Sequence, residues 1–480
     1  MSTSKKIDII CIVVTVAALV LTLIFMNGKA IGLVEAKKEN KETDSNEFTA
    51  NDLNDTPDTD SSTIIELNGN IASVEGNGAY FANNCLHIVY AGTYVLSGQL
   101  DGNIVVKADG DDKIWLVFDG LSINCDSDAG LRIEQADKVF INLKEGSINT
   151  ISCGKNYDSA LVKDGVDGAL FSRDDLTING SGTLNINTEY KHGIVCNDTL
   201  KITNGNINVN AAEDGIHVND ELKMKQAALT VSAGDDGITV SNDKEEGEFY
   251  MESGTINVTQ SYEGIEAYNI IVKGGDIIVN SSDDGFNAKG TGKEQGVFIY
   301  DGNIRLLNNS GRDADGLDSN GSVYIYGGNV FINVSQSSGY ALDTGTETGG
   351  VCVISGGTVI ACGGSGMAES FGESSTQCSF RYNLTEGQSD GSSLIITAAD
   401  GTSIINTTIP YSFNSVVFSS PELKKGQIYK LTCGSFTGDI ELTSMSTSLG
   451  TSAMGAGKKP GGMEFQKGDR NQKGNMGIAS

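Results

Sequence analysis

Five short phrases in the chain combine an acid, a glycine and an apolar residue. They are Asp214-Gly215-Ile216, Asp236-Gly237-Ile238, Glu263-Gly264-Ile265, Asp284-Gly285-Phe286 and Asp315-Gly316-Leu317, with further acids beside them at Glu213, Asp235, Asp283, Asp313 and Asp318. If the phrases stack one above another, their carboxylates form a ladder of like charge that repels itself unless a cation intervenes. Calcium takes six to eight oxygens at about 2.3–2.6 Å and accepts carboxylates and carbonyls from flexible loops. The candidate metal ligands are therefore Asp214, Asp235, Asp236, Glu263, Asp283, Asp284, Asp313 and Asp315, and calcium is the candidate ion. The competing reading makes Asp-Gly a favourable corner turn whose charge is relieved by solvent and stagger. Asp313-x-Asp315-Gly316-x-Asp318 matches part of a calcium loop but lacks the twelve-residue pattern of an EF-hand.

Other chemistry is sparser. Lys289, just after Asp284-Gly285-Phe286, and Arg312, beside Asp313, are the candidates for a base that abstracts the acidic proton α to a uronate carboxylate next to calcium. A solvated corner charge is the alternative for each. His87, His192 and His217 do not cluster in sequence, and no nucleophile elbow is present. Of 9 cysteines, all but Cys11 lie outside the apolar N-terminal run, with no CxxC pair and no histidine at metal-ligand spacing, so zinc is not expected and buried free thiols are. Tyr324 and Tyr326, with Tyr250, Tyr262, Tyr268 and Tyr300 nearby, offer a strip of rings on which a sugar could stack.

What must position these residues is a ten-residue phrase: apolar, x, apolar, x, x, Gly, x, apolar, x, apolar. It reads Leu200, Ile202, Gly205, Ile207, Val209, and returns around Gly254, Gly275, Gly302, Gly328 and Gly357, with a weaker copy around Ala227. Alternation of period two means a strand with one buried face, and the glycine marks a bend between two strands. The acid-Gly-apolar phrase adds a third strand. A repeat of fixed grammar and variable length is the signature of a solenoid. Three short strands per turn predict a parallel β-helix whose coils stack about 4.8 Å apart, with inward Ile, Val and Leu in columns and loops at the corners.

Around this array, the chain divides by composition. Residues 1–29 hold Lys5, Lys6 and the uncharged run from Ile9 to Met26, long enough to span a bilayer and oriented so that the remainder of the chain is exported. An uncleaved anchor is preferred over a cleaved signal. Residues 30–63 are too polar to fold and read as a tether. Residues 64–362 form the β-helix, 363–445 a C-terminal β cap over the open last coil, and 446–480 a disordered tail. The net charge of −29 argues against nucleic acid.

Several segments together carry a family resemblance: Tyr94-Val95-Leu96-Ser97-Gly98-Gln99-Leu100-Asp101-Gly102, Asp175 through Leu184, the Asp-Gly-Ile corners, and Ser419 through Tyr429. In their order they resemble bacterial cell-surface carbohydrate-binding β-helix proteins, over about residues 64–440. The resemblance implies a right-handed, pectate-lyase-like β-helix with bound calcium that binds cellulose or pectin without clear lyase activity. The expectation is an all-β, monomeric polysaccharide binder on the extracellular face of the membrane, or secreted if the N-terminal segment is cleaved. The alternatives are a polysaccharide lyase and a surface adhesin with no carbohydrate ligand.

Overall fold

A computed structural model describes residues 47–242, 244, 246–309 and 314–450. The apolar run from Ile9 to Met26 and residues 451–480 lie outside them. Among the described residues, no helix is long and apolar enough to cross a membrane.

The fold is all-β, with strands paired mostly in parallel. Through the repeats, each strand pairs with the strand three places further on, so three ladders run side by side. The first includes Thr199–Ile202, Glu221–Met224, Glu248–Met251, Asn269–Val272, Gly296–Ile299 and Ser322–Ile325. The second includes Asn206–Ala211, Ala228–Ala233, Thr255–Ser261, Asp276–Ser281, Asn303–Asn308 and Asn329–Val334. The third comprises the short strands after the acid-Gly phrases: Ile216–Val218, Ile238–Val240, Ile265–Ala267, Phe286–Ala288 and Leu317–Ser319.

Register follows the alternation. Ile207, Leu229, Ile256, Ile277, Ile304, Val330 and Val359 pair in one column and are all buried, while Thr255 and Asp276, one position away, are exposed. Each such side chain contributes about 1.5–3 kcal/mol by leaving water. A one-residue slip would turn the whole set outward, so the register is strongly fixed. The repeat glycine supplies the bend: Gly275 has φ 97°, and in the copy that lacks glycine the left-handed angle moves to Gln226, φ 60°. The corner glycines serve close approach instead. A Cβ on Gly264 would sit 2.3 Å from the Gly285 carbonyl oxygen and 2.3 Å from Val279 Cγ1.

Beyond Gly363 the pairing changes sense. Phe413–Ser419 pairs antiparallel with Thr358–Gly363, the last strand of the second ladder, and with Ser379–Gln388. Ser392–Ala398, Ser403–Ile409, Ile428–Cys433 and Phe436–Glu441 form a separate antiparallel sheet over a second apolar cluster. Ser446–Gly450, at the start of the expected tail, pairs in parallel with Ser379–Gln388.

Ordered structure also starts before Ile64. Asp52 is fully buried, with Lys138 Nζ at 2.9 Å and Lys201 Nζ at 3.2 Å. Thr177 donates to its carboxylate at 2.7 Å, and Asn179 and Thr203 donate to its backbone oxygen. Asp55 accepts from the Gly180 N–H and from Asn204. Polar composition alone reads as a tether, yet these bonds seat residues 52–55 on the outer face of the first ladder. The eight described cysteines are free, and all but Cys85 are buried.

Candidate functional site

The third ladder and the corner before it build one side of the site. Asp214, Asp236, Glu263, Asp284 and Asp315 occupy equivalent corners and are buried, Glu263 at 1% exposure. Their stacking is enforced by the backbone: Gly237, Gly264 and Gly285 donate N–H groups to the carbonyls of Glu263, Asp284 and Asp315, each at 2.9 Å. The side chains join the same ladder. Asp214 accepts from the Asp236 N–H at 3.2 Å, Asp236 from the Glu263 N–H at 3.0 Å, and Asp284 from the Asp315 N–H at 2.7 Å. These are turn-residue roles, and they occupy about one carboxylate oxygen each.

A second column stands three residues on. His217, Thr239, Glu266, Asn287 and Asp318 are the register-matched middle positions of the third-ladder strands. Asp236, Glu263 and Glu266 are thereby brought together, with one carboxylate oxygen of each within 4.8 Å of the others, all buried. Asn287 donates to Glu263 at 2.8 Å, Thr239 to Asp236 at 3.4 Å, and Lys289 pairs with Glu266. Burial, followed by the charges of Asp214 and Glu266, raises Asp236 to about 7. Burial and the charges of Glu266 and Asp236 raise Glu263 to about 9, and burial with Asp318 raises Asp284 to about 10. Asp236 and Glu263 therefore take up protons more readily than free acids do, and a cation beside them would relieve the same repulsion. The trio's donors are oxygens, and three carboxylates beside one ammonium leave the charge that one divalent ion would balance. The set fits a hard cation such as calcium.

Not every residue singled out in the sequence joins this group. Asp235 and Asp283 are half-buried beside their corners and outside the trio. Arg312 and Asp313 lie outside the described residues. Asp214 belongs to a different group, with His192 and His217. Burial works against its ionisation, but hydrogen bonds and charge from the two histidines outweigh that and hold its carboxyl well below the usual range. Glu266 and the histidine grouping are not apparent from the acid-Gly phrase. The signal is the polar residue at the third position after each corner acid, which the strand turns back toward that corner.

The first ladder presents an aromatic platform. Tyr324 stacks on Phe298 at 5.5 Å between centroids, Tyr326 on Tyr300 at 4.7 Å, and Tyr324 lies 6.0 Å from Tyr326 with planes 9° apart. Tyr300 and Tyr326 are 39% and 43% exposed. Lys273 Nζ stands 3.2 Å over the Tyr300 ring. Of the six tyrosines expected in a strip, three assemble, joined by Phe298, whose outward direction follows from inward Val297 and Ile299. Tyr250 stands two strands below Phe298 in the same column, Tyr262 is at the acid corner, and Tyr268 lines an acidic groove with Asp220, Glu246 and Glu248.

Comparison with known proteins adds three findings. Residues 82–339, more than half of the chain, match the family described as carbohydrate-binding domain-containing protein. A carbohydrate-binding domain-containing protein of Acetivibrio thermocellus is 33% identical over 150 residues, which are 31% of this chain and 52% of the relative. The chain thus spans about half the length of that curated relative. A solved structure, the polysaccharide lyase-like protein from C. thermocellum as a gadolinium derivative, is 27% identical with a TM-score of 0.47, over 50% of this chain and 96% of the other.

Proposed function

Because the chain belongs to the carbohydrate-binding domain-containing family, we propose that it binds polysaccharide through the platform of Phe298, Tyr300, Tyr324 and Tyr326. The observation that carries this reading is the part-exposed stack of Tyr300 and Tyr326, since an apolar sugar face packs on the aromatic surface that the stack leaves uncovered and that water solvates poorly. Lys273 places a cation at its edge, suited to a uronate carboxylate. In this reading, the three ladders wind as a right-handed parallel β-helix, the usual hand for crossovers between parallel strands. Calcium sits at the Asp236, Glu263 and Glu266 corner and braces the stack, and the protein is a non-catalytic binder displayed outside the cell.

The ligand is cellulosic or pectic, and charge separates the two. A chain of net charge −29 repels a polyuronate at long range, so that ligand requires calcium as a bridge, whereas neutral glucan does not. A glycan array with and without chelator tests this. Retention of cellulosic oligosaccharides in both arms, and of galacturonans only with calcium, is expected; no glycan retained in either arm would remove the reading. One contact favours a lyase as the second reading: Lys289, the candidate base, lies against Glu266 of the calcium trio. Steady formation of unsaturated uronide from polygalacturonate, lost in Lys289→Ala, would establish it. No turnover with binding intact leaves the binder.

A further inference from the structure

Two of the chain's 3 histidines converge on one carboxylate oxygen. His192 occupies the corner slot one repeat before Asp214, in Lys191-His192-Gly193-Ile194, where the later repeats carry an acid. His217 is the third residue after that acid. Asp214 Oδ2 lies 3.2 Å from His192 Nδ1 and 2.9 Å from His217 Nδ1, and the ring centroids are 5.0 Å apart. We propose that His192, Asp214 and His217 form a binding site for a divalent transition ion of the zinc class, separate in chemistry from the oxygen-only corner above it.

The spacing suits such an ion. Bonds of about 2.0–2.2 Å to nitrogen and oxygen set neighbouring donors roughly 2.9–3.4 Å apart at octahedral or tetrahedral angles. His192 Nδ1 stands 3.2 Å from the Asp214 N–H and 3.2 Å from Asp214 Oδ2, so to bind the ion it must give up any proton it shares with the carboxylate and turn its one lone pair from the N–H to the metal. Nε2 lies 3.9 Å from Asp167 and 4.0 Å from Glu213, beyond hydrogen-bond length, so these carboxylates add negative charge around the ring without fixing its orientation. Asp214 Oδ1 is fixed by the Asp236 N–H, which leaves Oδ2 for the ion.

Selectivity follows from the donors. Imidazole nitrogen suits zinc, copper and nickel, whereas calcium takes oxygen. The side chains of His192 and Asp214 are 11% and 8% exposed, and that of His217 is 30% exposed, so the ion enters past His217. Three protein donors leave a position for water or a ligand oxygen.

The test uses the full chain, purified without a histidine tag and stripped by chelator. Zinc is titrated against a chromophoric chelator in excess calcium. One equivalent is expected, weakened by more than about tenfold in His217→Gln and in His192→Gln. No equivalent above background, or one retained in the double histidine variant, overturns the proposal. Should His192→Gln fail to fold, copper-loaded wild-type protein is read by electron paramagnetic resonance. Coupling to two imidazole nitrogens supports the site, and coupling to none refutes it.

Discussion

At Asp236 and Asp284, removing charge and adding a cation should act on the same repulsion. Their raised values, about 7 and about 10, mean that the metal-free fold holds protons more tightly than the unfolded chain does. The contribution of these two acids to metal-free stability is therefore fully present below about pH 4, the unfolded value, and is lost as pH climbs toward their folded values, while Asp214, held low, contributes in the opposite sense. A cation that binds only the folded corner adds about 2.7 kcal/mol at a hundredfold excess over Kd. Melting temperature is expected to rise with calcium and fall with chelator, more at neutral pH than in acid. Asp236→Asn should shrink that response, and both Asp236→Asn and Asp284→Asn should leave the metal-free protein as stable or slightly more so. Melting curves indifferent to calcium, in protein shown to start metal-free, would reduce these acids to turn residues. The corner acids are legible in sequence because Asp-Gly-apolar recurs. Their partners Glu266 and His217 are not, because each reads as an ordinary polar residue on a short strand until the register stacks it beside the corner.

At the scale of elements, the strands were readable and the segment before them was not. Alternation places Ile256 and Ile277 in one buried column, and the structure pairs them directly. Ile277→Asp puts an unpaired charge there and is expected to cost about 3–5 kcal/mol, while Thr255→Lys on the exposed face should stay within about 0.5 kcal/mol. Equal denaturation midpoints for the two would contradict the register. Residues 52–55 lack alternation and large apolar groups, so periodicity has nothing to detect. Their hold comes from Asp52 between Lys138 and Lys201, partners far along the chain. Asp52→Ala removes the main carboxylate between two nearly buried ammonium groups, leaving Lys138 only the longer contact to Asp175 at 3.8 Å, and should destabilise by roughly 3–5 kcal/mol in chemical denaturation. A loss below about 1 kcal/mol would mean that this segment merely rests on the ladder.

For the whole molecule, stacked repeats turn single side chains into surfaces. Because each strand pairs with the one three places on, a residue type repeated at one outward position becomes a column. One face thus carries acids and another carries rings. Sequence conveys the columns wherever the period is regular, as with Tyr324 and Tyr326. It does not convey which loop-displaced tyrosines drift to other corners, and Tyr262 and Tyr268 do so because the connections around them vary in length. The carbohydrate reading rests on the platform, and the most direct measurement is a depletion isotherm of the full chain on insoluble cellulose, compared with Tyr300→Ala/Tyr326→Ala. Each lost ring is expected to cost about 1 kcal/mol, so the double variant should bind about tenfold or more weakly with an unchanged melting temperature. An isotherm for the double variant that overlays the wild type would contradict the assignment of this face as the binding site.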